Sequence, residues 1–151
     1  MKHSGMVDVS LKKMTKRLAR AYALVELGKD LARKVKEGKI EKGEVLEHAR
    51  IAGILAAKKT SELIPLCHPI DIDKISIDFR FIAGGVEIES EVKAFHRTGV
   101  EMEALLAVAM AGLTIYDMCK KYKRAIRIKE IYLLEKRGGR SGRYVRKNLF
   151  D

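Results

Sequence analysis

Short stretches of the 151-residue chain carry side chains able to do chemistry. In Asp117-Met-Cys-Lys120 a carboxylate and an ammonium stand three residues apart, which on a helix puts them on one face. Such a pair is either an exposed ion pair of little value or, at the edge of a core, a coupled pair that can take and give a proton. Thr98-Gly-Val-Glu101-Met-Glu103 sets two carboxylates at a helix start. Thr98 and Glu101 have capping-box spacing, so Glu101 is expected to reach back to the chain. Glu103 sits about 200° further round and cannot share that cap. Near the positive end of the helix dipole it is expected to stay ionised and to accept a hydrogen bond from a ligand. Met102 lies between the two. Pro65 and Pro69 bracket Leu66, Cys67 and His68, a rigid extended connection carrying a thiol and an imidazole. Lys42 before Gly43, and Lys136 before Arg137-Gly-Gly, set ammonium groups beside accessible backbone amides. That pattern suits phosphate, and equally a lysine in solvent.

A metal site is not expected. Cys67 and His68 have no Cys-x-x-Cys or His-x-x-x-His partner, and His3, His48 and Cys119 share no ligand spacing with them. A thiol nucleophile needs a base that only the fold can bring. A polar contact from His68 to a ligand is the expected role.

These groups need elements to hold them. Thr98 to Lys120 has no charge between Glu103 and Asp117 and no proline, so it reads as a helix of about six turns, apolar round most of its circumference and buried. Ala19 to Leu27 alternates as a strand that Gly28 ends, and a short helix over 30–36 stops at Gly38. Val45, Leu46, Ala49, Ala52, Gly53 and Ala56 recur at helical spacing from after Gly43 to about Thr60. Gly53 inside that helix costs up to ~1 kcal/mol unless something packs close there. Ile75 to Phe81 and Val86 to Ala94 alternate about Gly84-Gly85 and read as a hairpin with one polar face. Ile126 and Ile128 begin a last strand whose parity slips, which predicts a bulge near Lys129-Glu130. The order strand, helix, strand, strand, helix, strand predicts an α+β, ferredoxin-like βαββαβ fold, an antiparallel sheet with helices on one face. The chain reads as one domain, 1–151, with segments 1–17 and 138–151 mobile.

Of the net charge of +11, +9 falls in residues 120–151, which calls for an anionic partner or a solvated basic tail. No apolar run reaches membrane-spanning length without a charge or proline, the start does not read as a signal peptide, and the two cysteines lie far apart. A cytoplasmic protein with free thiols is expected.

Taken together, K-G-E-V-L-E-H-A-R-I-A-G-I-L-A-A-K-K-T, L-I-P-L-C-H-P, T-G-V-E-M-E-A-L and L-T-I-Y-D-M-C-K resemble, in order and spacing, the cyclic pyranopterin monophosphate synthase (MoaC) family of molybdenum cofactor (molybdopterin) biosynthesis. So do M-V-D-V-S near the start and the G-G-x-S-G pattern near the end, and the similarity spans roughly residues 6–142. The resemblance implies a lyase that converts 3',8-cyclo-7,8-dihydro-GTP, made by a radical enzyme, to cyclic pyranopterin monophosphate with release of pyrophosphate. It implies a ferredoxin-like subunit in a homohexamer, a trimer of dimers, with sites at dimer interfaces. It makes Asp117 and Lys120 an acid/base pair, with Lys42 and Lys136 in the same site. Leu66, Cys67, His68, Met102, Glu103 and Glu101 would contact the triphosphorylated pterin precursor, and Arg17 would face its triphosphate. No cofactor is implied as required, and magnesium with the phosphates is left open. Arg140 stands where the family usually has Lys in G-G-x-S-G; it keeps the charge but cannot give up a proton.

Two other readings compete. A ferredoxin-like sheet with Phe79, Phe81 and a basic tail can be an RNA-binding module. Against this, I-S-I-D-F-R-F lacks the glycine-containing RNA-binding pattern, and both Phe residues share the parity expected to face the core. A non-catalytic assembly subunit leaves the clustered ionisable groups unexplained. Neither nucleic acid nor membrane is an expected partner.

Overall fold

The computed structural model describes residues 4–147. His3 and the last four residues of the tail lie outside the described residues. The elements are β1 (Thr15–Glu26), α1 (Lys29–Lys36), α2 (Val45–Lys58), α3 (Thr60–Leu63), β2 (Lys74–Ile82), β3 (Gly85–His96), α4 (Glu101–Cys119), β4 (Arg127–Arg137) and β5 (Tyr144–Val145). The sheet order is β2-β3-β1-β4-β5, with every pairing antiparallel. The first four strands make the ferredoxin-like arrangement, with α1 inserted after β1 and β5 added at one edge. Ordered structure reaches into both segments read as mobile. Thr15, Lys16 and Arg17 belong to β1, opposite His96, Phe95 and Ala94, and β5 pairs with Glu135 and Lys136.

Alternation decides the layering. Ala19, Ala21, Ala23 and Val25 of β1, with Val86, Ile88, Ser90, Val92 and Ala94 of β3, are buried under the helices. The alanines of β1 leave room for α4, which packs over β1, β3 and β4. α2 lies beside α4 and over β2. Gly53 is what brings these helices together: a Cβ there would stand 2.7 Å from the Ala107 carbonyl oxygen and 2.4 Å from Ile77 Cδ1. The interior glycine is thus explained by close backbone approach. The Ser90 hydroxyl donates to the Ala104 carbonyl at 2.8 Å, fastening the first turns of α4 to β3. α4 is the one helix among the described residues long and apolar enough to cross a membrane, and half of that span is buried within the fold.

The other sheet face is polar. Tyr22 donates to Glu87 at 2.9 Å, Arg20 pairs with Glu89 and Glu135, and Tyr22 stacks on Tyr132 with centroids 4.9 Å apart. β4 carries two bulges. The one opposite Leu24/Val25 lies at Lys129, as the parity slip predicts; a second, opposite Arg20/Ala21, lies at Leu134. The second restores the original parity, so Lys136 pairs with Ala19 and takes the helix side of the sheet.

Candidate active site

The candidate residues gather at the two ends of α4. At its N-terminal end, Leu66, Cys67, His68, Glu101, Met102 and Glu103 line a cavity of about 360 Å³. A second cavity, of about 650 Å³, holds Arg17, Glu101, Lys136 and Arg140. Lys12, Thr98, Gly99 and Glu101 belong to both, so the two form one cleft. Val7 and Val9, from the segment before β1, close its smaller half. Lys12 is not among the residues the sequence singles out; its one signal is the basic Lys12-Lys13 pair inside the segment 1–17 read as mobile.

The expected capping box does not form. α4 begins at Glu101 with Val100 in the cap position and no side-chain cap. The Glu101 carboxylate instead folds over Gly99, where a Cβ would stand 2.0 Å from it, and accepts a hydrogen bond from Lys136 Nζ at 2.8 Å. A lysine brought across by the bulge at Leu134 outcompetes the local backbone because it offers a charge-assisted bond in a half-buried place.

Glu103 also departs from expectation. It is 4% exposed, and burial, reinforced by the charge of Glu101, pushes its carboxyl up to about 7. Desolvation outweighs the helix-terminus field that would have kept it ionised. Burial and the charge of Glu103 raise the Cys67 thiol in turn, which disfavours the thiolate a nucleophile needs. Asp8 accepts a hydrogen bond from the Ser10 amide at 2.9 Å, and its neighbours Val7 and Val9 share the smaller cavity with His68.

Arg17 is braced by the backbone. Its Nε donates to the His96 carbonyl at 3.2 Å and one terminal nitrogen to the Arg97 carbonyl at 2.8 Å. Gly138 and Gly139, both at positive φ, curl against it. A Cβ on Gly138 would stand 2.2 Å from the Lys16 carbonyl oxygen, and one on Gly139 would meet the guanidinium. Thr15 Oγ1, in the wall of the larger cavity, is the one buried side-chain polar atom without a partner among the described residues.

At the other end of α4, Asp117 bridges two ammonium groups. Its Oδ1 accepts from Lys120 Nζ at 2.7 Å and its Oδ2 from Lys42 Nζ at 2.8 Å. Lys120, and next Lys42, hold the carboxyl down to about 2, and Asp117 raises the Lys120 ammonium in return. The Asp117 side chain is 54% exposed, so the triad lies at the surface of the subunit rather than at the partly buried edge expected. Lys136 is not with it: about 28 Å of helix separates the triad from the cleft. Within one subunit the four residues expected to act together are divided three to one. Among the described residues no group of three His, Cys, Asp or Glu side chains stands close enough to hold a metal ion.

The two clusters sit on the stretches that match known proteins. The model of the MoaC family aligns with residues 6–139. The chain belongs to the MoaC family. A cyclic pyranopterin monophosphate synthase of Heliobacterium modesticaldum is 52% identical over 143 residues, covering 93% of this chain and 90% of its own. Those of Syntrophomonas wolfei and Listeria welshimeri are 48% and 51% identical, over 146 and 144 residues, each covering 95% of this chain. The MoaC match takes in β1 through β4 and both residue clusters apart from Arg140, and ends within the glycine turn at Gly139.

Proposed function

We infer that this chain is a cyclic pyranopterin monophosphate synthase, a lyase that converts 3',8-cyclo-7,8-dihydro-GTP to cyclic pyranopterin monophosphate and pyrophosphate in molybdenum cofactor biosynthesis. The observation that carries it is near-full-length identity of about half to enzymes of that name. The geometry supports the reading. The larger half of the cleft sets Lys12, Lys13, Arg17, Lys136 and Arg140 against one carboxylate, Glu101, a charge balance suited to a triphosphate and to the charge that develops on leaving pyrophosphate. The smaller half sets Leu66, Met102 and Ile70 beside His68 and Glu103, apolar walls with a few polar groups, as a flat heterocycle requires.

The pair expected to work as acid and base, Asp117 and Lys120, acts in this reading as a proton donor held by a fixed carboxylate, and their charges assign the roles. Asp117 stays ionised and orients its partners; Lys120 stays protonated and donates the proton. Lys42 and Lys136 complete the charge around the reacting groups. Since the triad and the cleft lie too far apart for one small substrate, the site is built from two subunits, and the working form is a homohexamer, a trimer of dimers. In this reading the reaction needs no resident cofactor, and magnesium, where present, accompanies the phosphates. The enzyme works in the cytoplasm.

The RNA-binding alternative finds no support. Phe79 and Phe81 pack on the core side, and on the open sheet face Arg20, Arg80, Lys74 and Lys93 are already paired with Glu89, Glu87 and Glu91, so their charge is engaged within the sheet rather than offered to a phosphodiester backbone. The direct test is incubation with 3',8-cyclo-7,8-dihydro-GTP and measurement of pyrophosphate. Stoichiometric release is expected; none from the intact oligomer overturns the reading.

A further inference from the structure

Lys42 reaches Asp117 from a loop, and a loop lysine is ordinarily free to move. This one is not. The loop over 37–44 runs from the end of α1 to the start of α2. Ile40, at 5% exposure, buries the residue two before Lys42. The Glu41 amide then donates to the Tyr122 hydroxyl at 2.8 Å, and the Glu41 carboxylate pairs with Lys121. Lys42 Nζ donates to both the carbonyl and the carboxylate of Asp117, at 3.1 and 2.8 Å. Gly43, at φ +104°, turns the chain away into α2.

The other side of this junction is one turn. Tyr122 N donates to the Cys119 carbonyl at 2.9 Å, so Lys120, Lys121 and Tyr122 leave α4 as a rigid unit. The Tyr122 ring packs against the core, with Lys34 Nζ 5.5 Å from its centroid. A single turn therefore carries one member of the triad, Lys120, and the hydroxyl that holds the backbone beside another, Lys42. The Lys121–Glu41 pair is exposed on both sides and contributes little, so beside the buried Ile40 and the Gly43 amide's bond to the Ile40 carbonyl at 3.0 Å, the tyrosine hydroxyl is what ties this loop to the turn after α4.

We propose that Tyr122 is a positioning residue for catalysis, holding the Glu41 amide so that Lys42 stays on Asp117. The proposal rests on the assignment of Lys42 and Asp117 to the active site. Tyr122 touches neither substrate nor reacting atoms in it. Its hydroxyl sets the loop backbone, the backbone sets where the Lys42 side chain starts, and Lys42 sets the charge around Asp117. Displacements of about 1 Å in such groups cost up to ~100-fold in rate.

Tyr122→Phe keeps the ring and removes only the hydroxyl. Turnover should fall about 5- to 20-fold through kcat, with KM within about twofold and the melting temperature nearly unchanged. The decisive reading is the titration of Asp117 followed by carboxyl carbon NMR. Tyr122→Phe should raise its midpoint toward the ordinary carboxylate range, Lys42→Ala should raise it further, and Tyr122→Phe should add nothing in the Lys42→Ala background. An Asp117 midpoint that Tyr122→Phe leaves unmoved, or moves equally with and without Lys42, overturns the proposal. Lys42→Ala with full turnover is a different failure: it overturns the assignment of Lys42 to the active site.

Discussion

Lys136 and Glu101 meet across the cleft at 2.8 Å although 35 positions separate them in the chain. One stands at the end of β4, turned toward the helices by the bulge at Leu134; the other opens α4. Their pairing ties the sheet to the helix where both cavities join. Glu101→Gln keeps the shape and removes the charge that holds the lysine. Pyrophosphate release should fall about 10- to 100-fold while thermal unfolding shifts by only about 1 kcal/mol, because Gln still accepts a hydrogen bond from the lysine and loses only the charge.

Glu103 makes stability depend on pH. Its carboxyl rises from 4.5 to about 7 on folding, so between those values the folded chain holds a proton that the unfolded chain has lost. The stability it contributes is greatest below the lower value and declines as pH climbs to the upper one. Denaturant unfolding at pH 5 and pH 8 should show wild type losing about 2–3 kcal/mol more than Glu103→Gln over that interval. Parallel profiles for the two proteins would mean that Glu103 is ionised in the folded state.

Asp117 behaves in the opposite way. Held at about 2 by Lys120 and Lys42, it is ionised throughout the working range. Asp117→Asn should lower turnover by about 10²- to 10⁴-fold, by the same factor at every pH between 5.5 and 8.5, with the oligomer intact on gel filtration. A defect that vanishes at one end of that range would assign Asp117 a proton-transfer step of its own.

Gly138 is tested by backbone sterics. Alanine there meets both a positive φ of 99° and the Lys16 carbonyl oxygen. Gly138→Ala should cost about 1–3 kcal/mol in thermal unfolding and raise KM, since Arg17 packs against the same turn. Gly142, also at positive φ but in open space, should pay the conformational cost alone and leave KM unchanged.

The proposed sharing of the site between subunits predicts reconstitution. Asp117→Asn damages one end of α4 and Arg17→Ala the other, and each homo-oligomer should be inactive. Unfolded together and refolded, the mixture should recover roughly a quarter of wild-type turnover, because a two-fold interface leaves some sites free of both changes. No recovery from a mixture shown to form mixed oligomers would require each subunit to carry a complete site.

Most of the fold was legible in the sequence because burial writes itself as periodicity. The alternation of β1, the hairpin of β2 and β3, the apolar length of α4 and the parity slip at Lys129 are all local records of which side faces the core. The glycine inside α2 signalled a close approach, and Ala107 turned out to be what approaches.

What the sequence determined by itself was the set of residues available for chemistry and the elements that carry them. Asp117 with Lys120 is a relation of three residues along one helix, and three-residue relations survive in any fold that keeps the helix. Tertiary structure alone decided who meets whom. It took Glu101 from its cap to Lys136, because a second bulge at Leu134, with no trace in the hydrophobic pattern, returned the lysine to the helix side. It turned Glu103 from a charged acceptor into a carboxyl that titrates near neutrality, because desolvation depends on everything packed around a group. It brought Lys42 to Asp117 across 75 positions, at the far end of α4 from Lys136, so residues that chemistry would group together stand about a helix length apart.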